Sequence, residues 1–126
     1  MRIFLTVIGY ICGFCRNDVA DGRPIPGVFR NRGKAGDEGM STDWSEYSTP
    51  QETRDRARAP ERNAVIGMVV GDVRRIPEQV VQHRPYPDNR AHTNVEGFKK
   101  ANVAGTQVRY LFLNIWRWAI ELDPPD

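Results

Sequence analysis

The chain has 126 residues, with 18 basic and 16 acidic side chains and a formal net charge of +2. That length supplies one hydrophobic core, and an apolar content of 40% beside 27% charged residues excludes wholesale disorder. The charge is balanced along the chain, which argues against a dedicated nucleic-acid binder with its basic stripe, and no run reaches the roughly 20 apolar residues of a membrane span.

Residues 1–15 open with Met1-Arg2 and continue as an apolar run from Ile3 to Cys15. The β-branched and aromatic content predicts a buried strand over 3–11. A basic residue before a short apolar stretch is also the outline of a secretory leader, although a small-x-small cleavage pattern is missing. A non-native leader from an early start codon has the same appearance. The strand reading implies a cytoplasmic protein, and the leader reading a secreted one.

Residues 16–40 read as a loop rich in Gly and Pro, a length that marks a functional or mobile segment. Within it, Phe29-Arg30-Asn31-Arg32-Gly33-Lys34 is basic and flanked by glycine, which makes Arg30 a candidate anion contact. The segment lacks the spacing of a phosphate-binding Gly-rich loop, and a solvated loop accounts for it equally.

Gly39-Met40-Ser41-Thr42-Asp43-Trp44 is expected to be a turn leading to a helix, with Ser41 or Asp43 bonding the backbone and Trp44 and Tyr47 packed under that helix. Ser41 becomes a nucleophile only with a base beside it, and no G-x-S-x-G elbow surrounds it. Thr49-Pro50-Gln51-Glu52 then gives the sharpest local signal. Thr49 is a cap, Pro50 suits the first helical position and Glu52 completes a capping box. The predicted helix runs over 50–59 and ends before Pro60. Its charged side chains place it at the surface.

Residues 63–73 form a near-continuous apolar run that predicts a central strand buried on both faces. A second strand is expected over 78–84, a Pro-Asn turn over 85–90 and a third strand over 91–95. Residues 103–115 carry apolar side chains at helical spacing. Residues 116–122 either extend that helix or alternate as a strand, and periodicity leaves both open. Residues 123–126 are a frayed tail.

Two clusters carry chemistry-bearing side chains. Cys12-Gly13-Phe14-Cys15 is a C-x-x-C after an apolar strand, as in thioredoxin-like proteins, but the residues that follow do not form the helix that lowers the first thiol's pKa. The pair is also half of a zinc site, completed by His83 and His92, without the usual close spacing of the second pair. Burial as small hydrophobes explains both cysteines as well. No metal is assigned, and the cofactor is unknown.

His83-Arg84-Pro85-Tyr86-Pro87-Asp88-Asn89-Arg90-Ala91-His92 is the densest polar cluster. A hairpin about the turn brings His83 and His92 to one end of the sheet, where they serve as acid and base. Arg84 and Arg90 are the anion clamps there, with Asp88 and Asn89 as further polar groups. Adjacent residues of a strand face opposite sides, so Arg90 is the better clamp. A simple solvated turn has the same composition.

The stretches Gly39-Met40-Ser41…Asp43-Trp44…Tyr47…Thr49-Pro50 and His83-x-Pro85…Asn89-x-Ala91-His92 resemble a pattern shared by a family of small bacterial proteins. The resemblance covers residues 22–122. It implies a bacterial, cytosolic chain whose useful residues lie in these two stretches, and it implies no activity.

Together these readings predict a single α+β domain over 1–126, with a small mixed or antiparallel sheet and two helices. The expected function is that of a binding or accessory protein without catalysis, taking a protein partner or a small anionic ligand. One alternative is a small enzyme acting on a phosphate-bearing substrate through His83 and His92, and another is a C-x-x-C redox or zinc protein. Whether the chain is an enzyme stays open.

Overall fold

The computed structural model describes residues 4–8, 19–29, 31, 39–57, 60–97, 99 and 103–121. Its centre is a six-stranded antiparallel sheet built from β1 (Phe4–Ile8), β4 (Gly39–Trp44), β5 (Val65–Val69), β6 (Val80–His83), β7 (His92–Glu96) and β8 (Trp116–Ile120). The strand order is β6-β7-β4-β1-β5-β8. A separate two-stranded hairpin pairs β2 (Val19–Ala20) with β3 (Arg23–Pro24). The helices are α1 (Pro50–Asp55), α2 (Val70–Arg74) and α3 (Val103–Phe112). The α+β expectation therefore holds, with three α-helices in place of two and a sheet that is antiparallel throughout.

Alternation along the strands sorts the side chains onto two faces. Met40, Ile66, Met68 and Val95 share the apolar face with Val70, Val73, Ile76, Phe29 and Phe112 in one buried cluster. Helices α2 and α3 and the 3-10 turn at Pro26–Val28 supply that cover. Phe29 stacks on Phe112 with ring centroids 5.2 Å apart, which pins the turn to α3. Burial of two aromatic rings of this size is among the larger apolar contributions a small core receives. The opposite face carries Ser41, Asp43, His92 and Asn94, and α1 packs on that side.

Several sequence expectations change. The apolar run 63–73 is not one strand: β5 ends at Val69 and the chain turns into α2, so that Val70 and Val73 reach the core from a helix. Gly39–Trp44 is not a turn but β4, third from one edge of the sheet. Trp44 lies against the apolar cluster, not under α1. Residues 116–120 resolve as a strand, and the half-buried Trp116 and Trp118 alternate with the exposed Arg117 and Ala119. Helix α1 ends at Asp55, short of the expected 59. Residues 9–18, with Cys12 and Cys15, and Arg30 lie outside the described residues.

The capping box is present as read. Thr49 Oγ1 accepts from the Glu52 N–H at 3.1 Å, and Glu52 Oε1 accepts from the Thr49 N–H at 3.0 Å. The backbone N–H of Thr49 is the main reason the Glu52 pKa lies below the ordinary carboxylate value; the Thr49 side chain and Arg56 act in the same direction. This contribution is present above the unfolded carboxylate pKa and disappears as pH falls through the lower folded one.

A buried lysine ties the far end of β7 to its neighbours. Lys99 is 2% exposed, and its ammonium donates to Gln79 Oε1 (2.6 Å), the Val95 carbonyl (3.0 Å) and the Gly97 carbonyl (3.1 Å). All three N–H donors are thereby used. Gly97 sits at φ +130°, and a Cβ there would run into the Glu78 carbonyl, so glycine is required. Burial pushes the Lys99 pKa down from 10.5 to about 7, against the opposing charge of Glu96.

Two outcomes follow. Thr49→Ala should lower unfolding stability by about 1 kcal/mol, read from urea midpoints; coincident midpoints would show that the cap is dispensable. Between the folded Lys99 pKa near 7 and the unfolded value of 10.5, the unfolded chain binds a proton that the folded chain has released. Stability from this group therefore rises with pH across that window, by up to about 1.4 kcal/mol per pH unit. The stability difference between wild type and Lys99→Met should grow in favour of wild type from pH 7 to pH 9. A difference independent of pH would contradict the depressed pKa.

Candidate functional site

The polar face is organised by the pairing of β4 with β7. The register sets Asp43 opposite His92 and Ser41 opposite Asn94, and cross-strand partners in an antiparallel pair share a face. Four polar side chains thus converge on two adjacent strands. Asp43, His92 and Asn94 are all buried, and Ser41 is half-buried.

Asp43 anchors this face. Its Oδ2 accepts from Thr53 Oγ1 at 2.8 Å and from Arg56 Nη2 at 2.7 Å, and its Oδ1 accepts from Asn89 Nδ2 at 2.8 Å. The same Arg56 nitrogen donates to Ser48 Oγ, which is 2.8 Å from Thr53 Oγ1. Asn89 Oδ1 in turn accepts from the Ala91 N–H, and Ala91 O accepts from the Trp44 N–H. A single buried carboxylate thereby joins β4, α1 and the 84–91 loop. Charged hydrogen bonds of this kind are roughly twice as strong as neutral ones.

Beside it lies a serine–histidine pair. His92 Nδ1 is 2.8 Å from the Arg84 carbonyl, which can only accept, so Nδ1 carries the proton. In the neutral ring Nε2 then holds a lone pair, and Ser41 Oγ, 3.0 Å away, donates to it. Tyr86 stacks on the imidazole with centroids 3.9 Å apart and fixes the ring plane. Asn94, 7% exposed, has a buried Oδ1 with no hydrogen-bond partner among the described residues. Gly39 makes room for it: a Cβ at residue 39 would lie 2.6 Å from Asn94 Cβ.

A second cluster forms at the sheet end. His83 pairs with Thr93 in register, which puts its side chain on the apolar face, beside Trp44. Its ring lies 5.1 Å from Trp44 and stacks on Tyr47 at 5.4 Å, and its Nε2–H donates to the Arg90 carbonyl at 2.7 Å. The Arg90 guanidinium sits 4.6 Å from the Tyr47 ring centroid, a cation–π distance. The indole N–H of Trp44 is buried without a partner among the described residues. Tyr47, His83, Tyr86 and Arg90 are all exposed.

The expectation that His83 and His92 share one cleft is overturned. They occupy neighbouring strands at positions of opposite parity, so their side chains leave the sheet on opposite sides. For the same reason they cannot ligate one zinc ion, and the described residues hold no cluster of three or more His, Cys, Asp or Glu fit for a metal. Arg84 shares the face of His92 but is engaged with Glu96, Nε to Oε2 at 3.1 Å and Nη2 to Oε1 at 3.3 Å, which raises its pKa. Arg90 lies over Tyr47. Asn89 is structural, through Asp43, and Asp88 is exposed in the tight Tyr86–Asn89 turn. Ser41 acquires the base that the sequence did not place. Thr53, Arg56 and Tyr86 were absent from the sequence candidates, because only tertiary contact connects them to Asp43 and His92.

The two stretches that carry the family resemblance meet in space at this face and its rim. Set against family models, curated proteins and solved structures, the chain has no match. Among the described residues, no helix is long and apolar enough to cross a membrane.

Asp43→Asn keeps the side-chain shape but turns one acceptor into a donor that faces Thr53 and Arg56 or Asn89. It should cost about 2–4 kcal/mol in chemical denaturation. A loss under about 0.5 kcal/mol, the size of an ordinary surface change, would show that Asp43 does not hold the face together.

Proposed function

We propose that the chain is a small binding domain whose recognition surface is the aromatic and guanidinium rim at the end of the sheet. The observation that carries this reading is the exposed Tyr47 ring, held at once by His83 and by Arg90. Tyr, Trp and Arg concentrate binding energy at protein interfaces, and side chains already held in place lose little entropy on association. The rim joins residues from three segments, the 45–47 turn, β6 and the 84–91 loop, so its shape is set by the fold.

Its chemistry favours a partner that brings a carboxylate. Arg84 is neutralised by Glu96, whereas Arg90 is held by a ring and by no carboxylate among the described residues. A protein segment with an acidic side chain beside a flat apolar group suits that surface. The alternative of a phosphate-directed enzyme using His83 and His92 together loses its support, because the two rings face opposite sides. A bacterial and cytoplasmic setting belongs to the same proposal, on the strength of the sequence resemblance.

Titration with a short Asp/Glu-rich peptide containing one aromatic residue, followed by amide and side-chain NMR shifts, tests the surface. Shifts should centre on Trp44, Tyr47, His83 and Arg90, and Tyr47→Ala or Arg90→Ala should weaken binding at least about tenfold. Shifts scattered over the surface, or binding unchanged in both variants, would rule out the rim as the recognition site.

A further inference from the structure

The polar face carries a second feature that the rim does not use. Ser41 Oγ donates to the Nε2 lone pair of His92, and the Arg84 carbonyl fixes the tautomer that leaves this lone pair free. A hydroxyl, a neutral imidazole as its base and a third group orienting that base form the general arrangement of an activated serine nucleophile. Here a main-chain carbonyl takes the orienting role usually given to a carboxylate. Asp43, across from His92 in the register, is committed to Thr53, Arg56 and Asn89.

A second, independent observation lies directly across the strand from Ser41. Asn94 is 7% exposed, and its Oδ1 is buried without a hydrogen-bond partner among the described residues. Leaving such an acceptor unpaired costs free energy, which a ligand at Ser41 that donates a hydrogen bond recovers. Gly39, two residues before the serine, leaves the space that this amide occupies. The amide thus stands where a substrate carbonyl would meet both a nucleophile and a dipolar neighbour.

We infer that Ser41, His92 and Asn94 form an acyl-transfer site that takes a small, uncharged carboxylic ester bearing a hydroxyl, which donates to Asn94 Oδ1. The charge of the face selects this class over a phosphate. Among the described residues, the guanidinium groups placed on this face are already paired, Arg84 with Glu96 and Arg56 with Asp43, and the groups beside Ser41 are a neutral imidazole and an amide. In the first step the Ser41 O–H bond breaks, its proton passes to His92 Nε2, and Oγ bonds to the ester carbon. The carbonyl π pair moves onto oxygen, where the Asn94 amide N–H donates to it. Collapse breaks the bond to the alcohol oxygen, which leaves with the proton from Nε2. Water then repeats the sequence through His92 and releases the acid and free Ser41. Arg84 and Tyr86 are positioning residues: the first holds the Nδ1 proton and the second the ring plane.

The test is covalent. The full chain is treated with a fluorophosphonate probe, which reacts with activated serines, and the adduct is mapped by peptide mass spectrometry. An adduct on Ser41 is expected, with none in Ser41→Ala and a labelling rate at least about 100-fold lower in His92→Gln. Gly39→Ala, which displaces Asn94, should slow hydrolysis of p-nitrophenyl acetate at Ser41 while circular dichroism stays that of wild type. If His92→Gln does not fold, wild type and Ser41→Ala decide the matter by themselves. A folded wild-type chain that gives no Ser41 adduct, or gives one on another serine, overturns the proposal. Arg75→Ala, exposed just after α2, should label at the wild-type rate.

Discussion

The arrangement depends on a charge placed where water cannot reach it. Asp43 is 2% exposed in the middle of a sheet, and an ionised carboxylate there is tolerable only if its lone pairs are filled. Filling them draws Thr53 and Arg56 from α1 and Asn89 from the 84–91 loop. The cost of burying one group therefore fixes where a helix docks and where a loop turns back. Once Asn89 is held, Ala91 closes onto Trp44, and the chain enters β7 with His92 opposite Asp43.

From that register the two surfaces follow by parity. Met40 and Val95 enter the apolar cluster with Trp44 against it, and the residues of opposite parity in β4 and β7 form the polar face. Trp44 and His83 leave on one side, where Tyr47 and Arg90 complete the rim; Ser41 and His92 leave on the other, where Tyr86 closes over the imidazole. A slip of one residue between β4 and β7 would exchange these sets and bury the carboxylate in the core, so the register is strongly specified. Lys99 performs a comparable task at the other end of β7, where an ammonium gathers three carbonyl-type oxygens from the turn before β6 and the end of β7.

The polar content of β4 is also why that strand was hard to read. In Gly39-Met40-Ser41-Thr42-Asp43-Trp44 the apolar positions alternate, but glycine, serine and aspartate between them carry the signature of a turn. Those residues form the hydrogen-bonded polar face of the sheet, and their polarity obscured the structural period. The run 63–73 misled in the opposite way. Its apolar residues are continuous, and nothing in them shows that the strand stops at Val69 and a helix presents Val70 and Val73 to the same core. Short buried runs have no period that separates the two. The pairing of His83 with His92 failed for a third reason: proximity along a hairpin was legible, but parity depends on the register, which the turn and its hydrogen bonds to Asp43 decide.

By itself the sequence determined whatever is local or compositional: one α+β domain, the capping box of Thr49 and Glu52, the existence of strands within 78–84 and about 91–95, seen at Val80–His83 and His92–Glu96, and the turn between them. These rest on interactions within a few residues, where side-chain chemistry and backbone preference act together. Only the tertiary structure decided that Ser41 meets His92, that Asp43 meets Arg56 and Asn89, and that Arg90 meets Tyr47. Each of these contacts joins strands or loops far apart in the chain, and its geometry comes from strand register and burial, which no short window of residues contains.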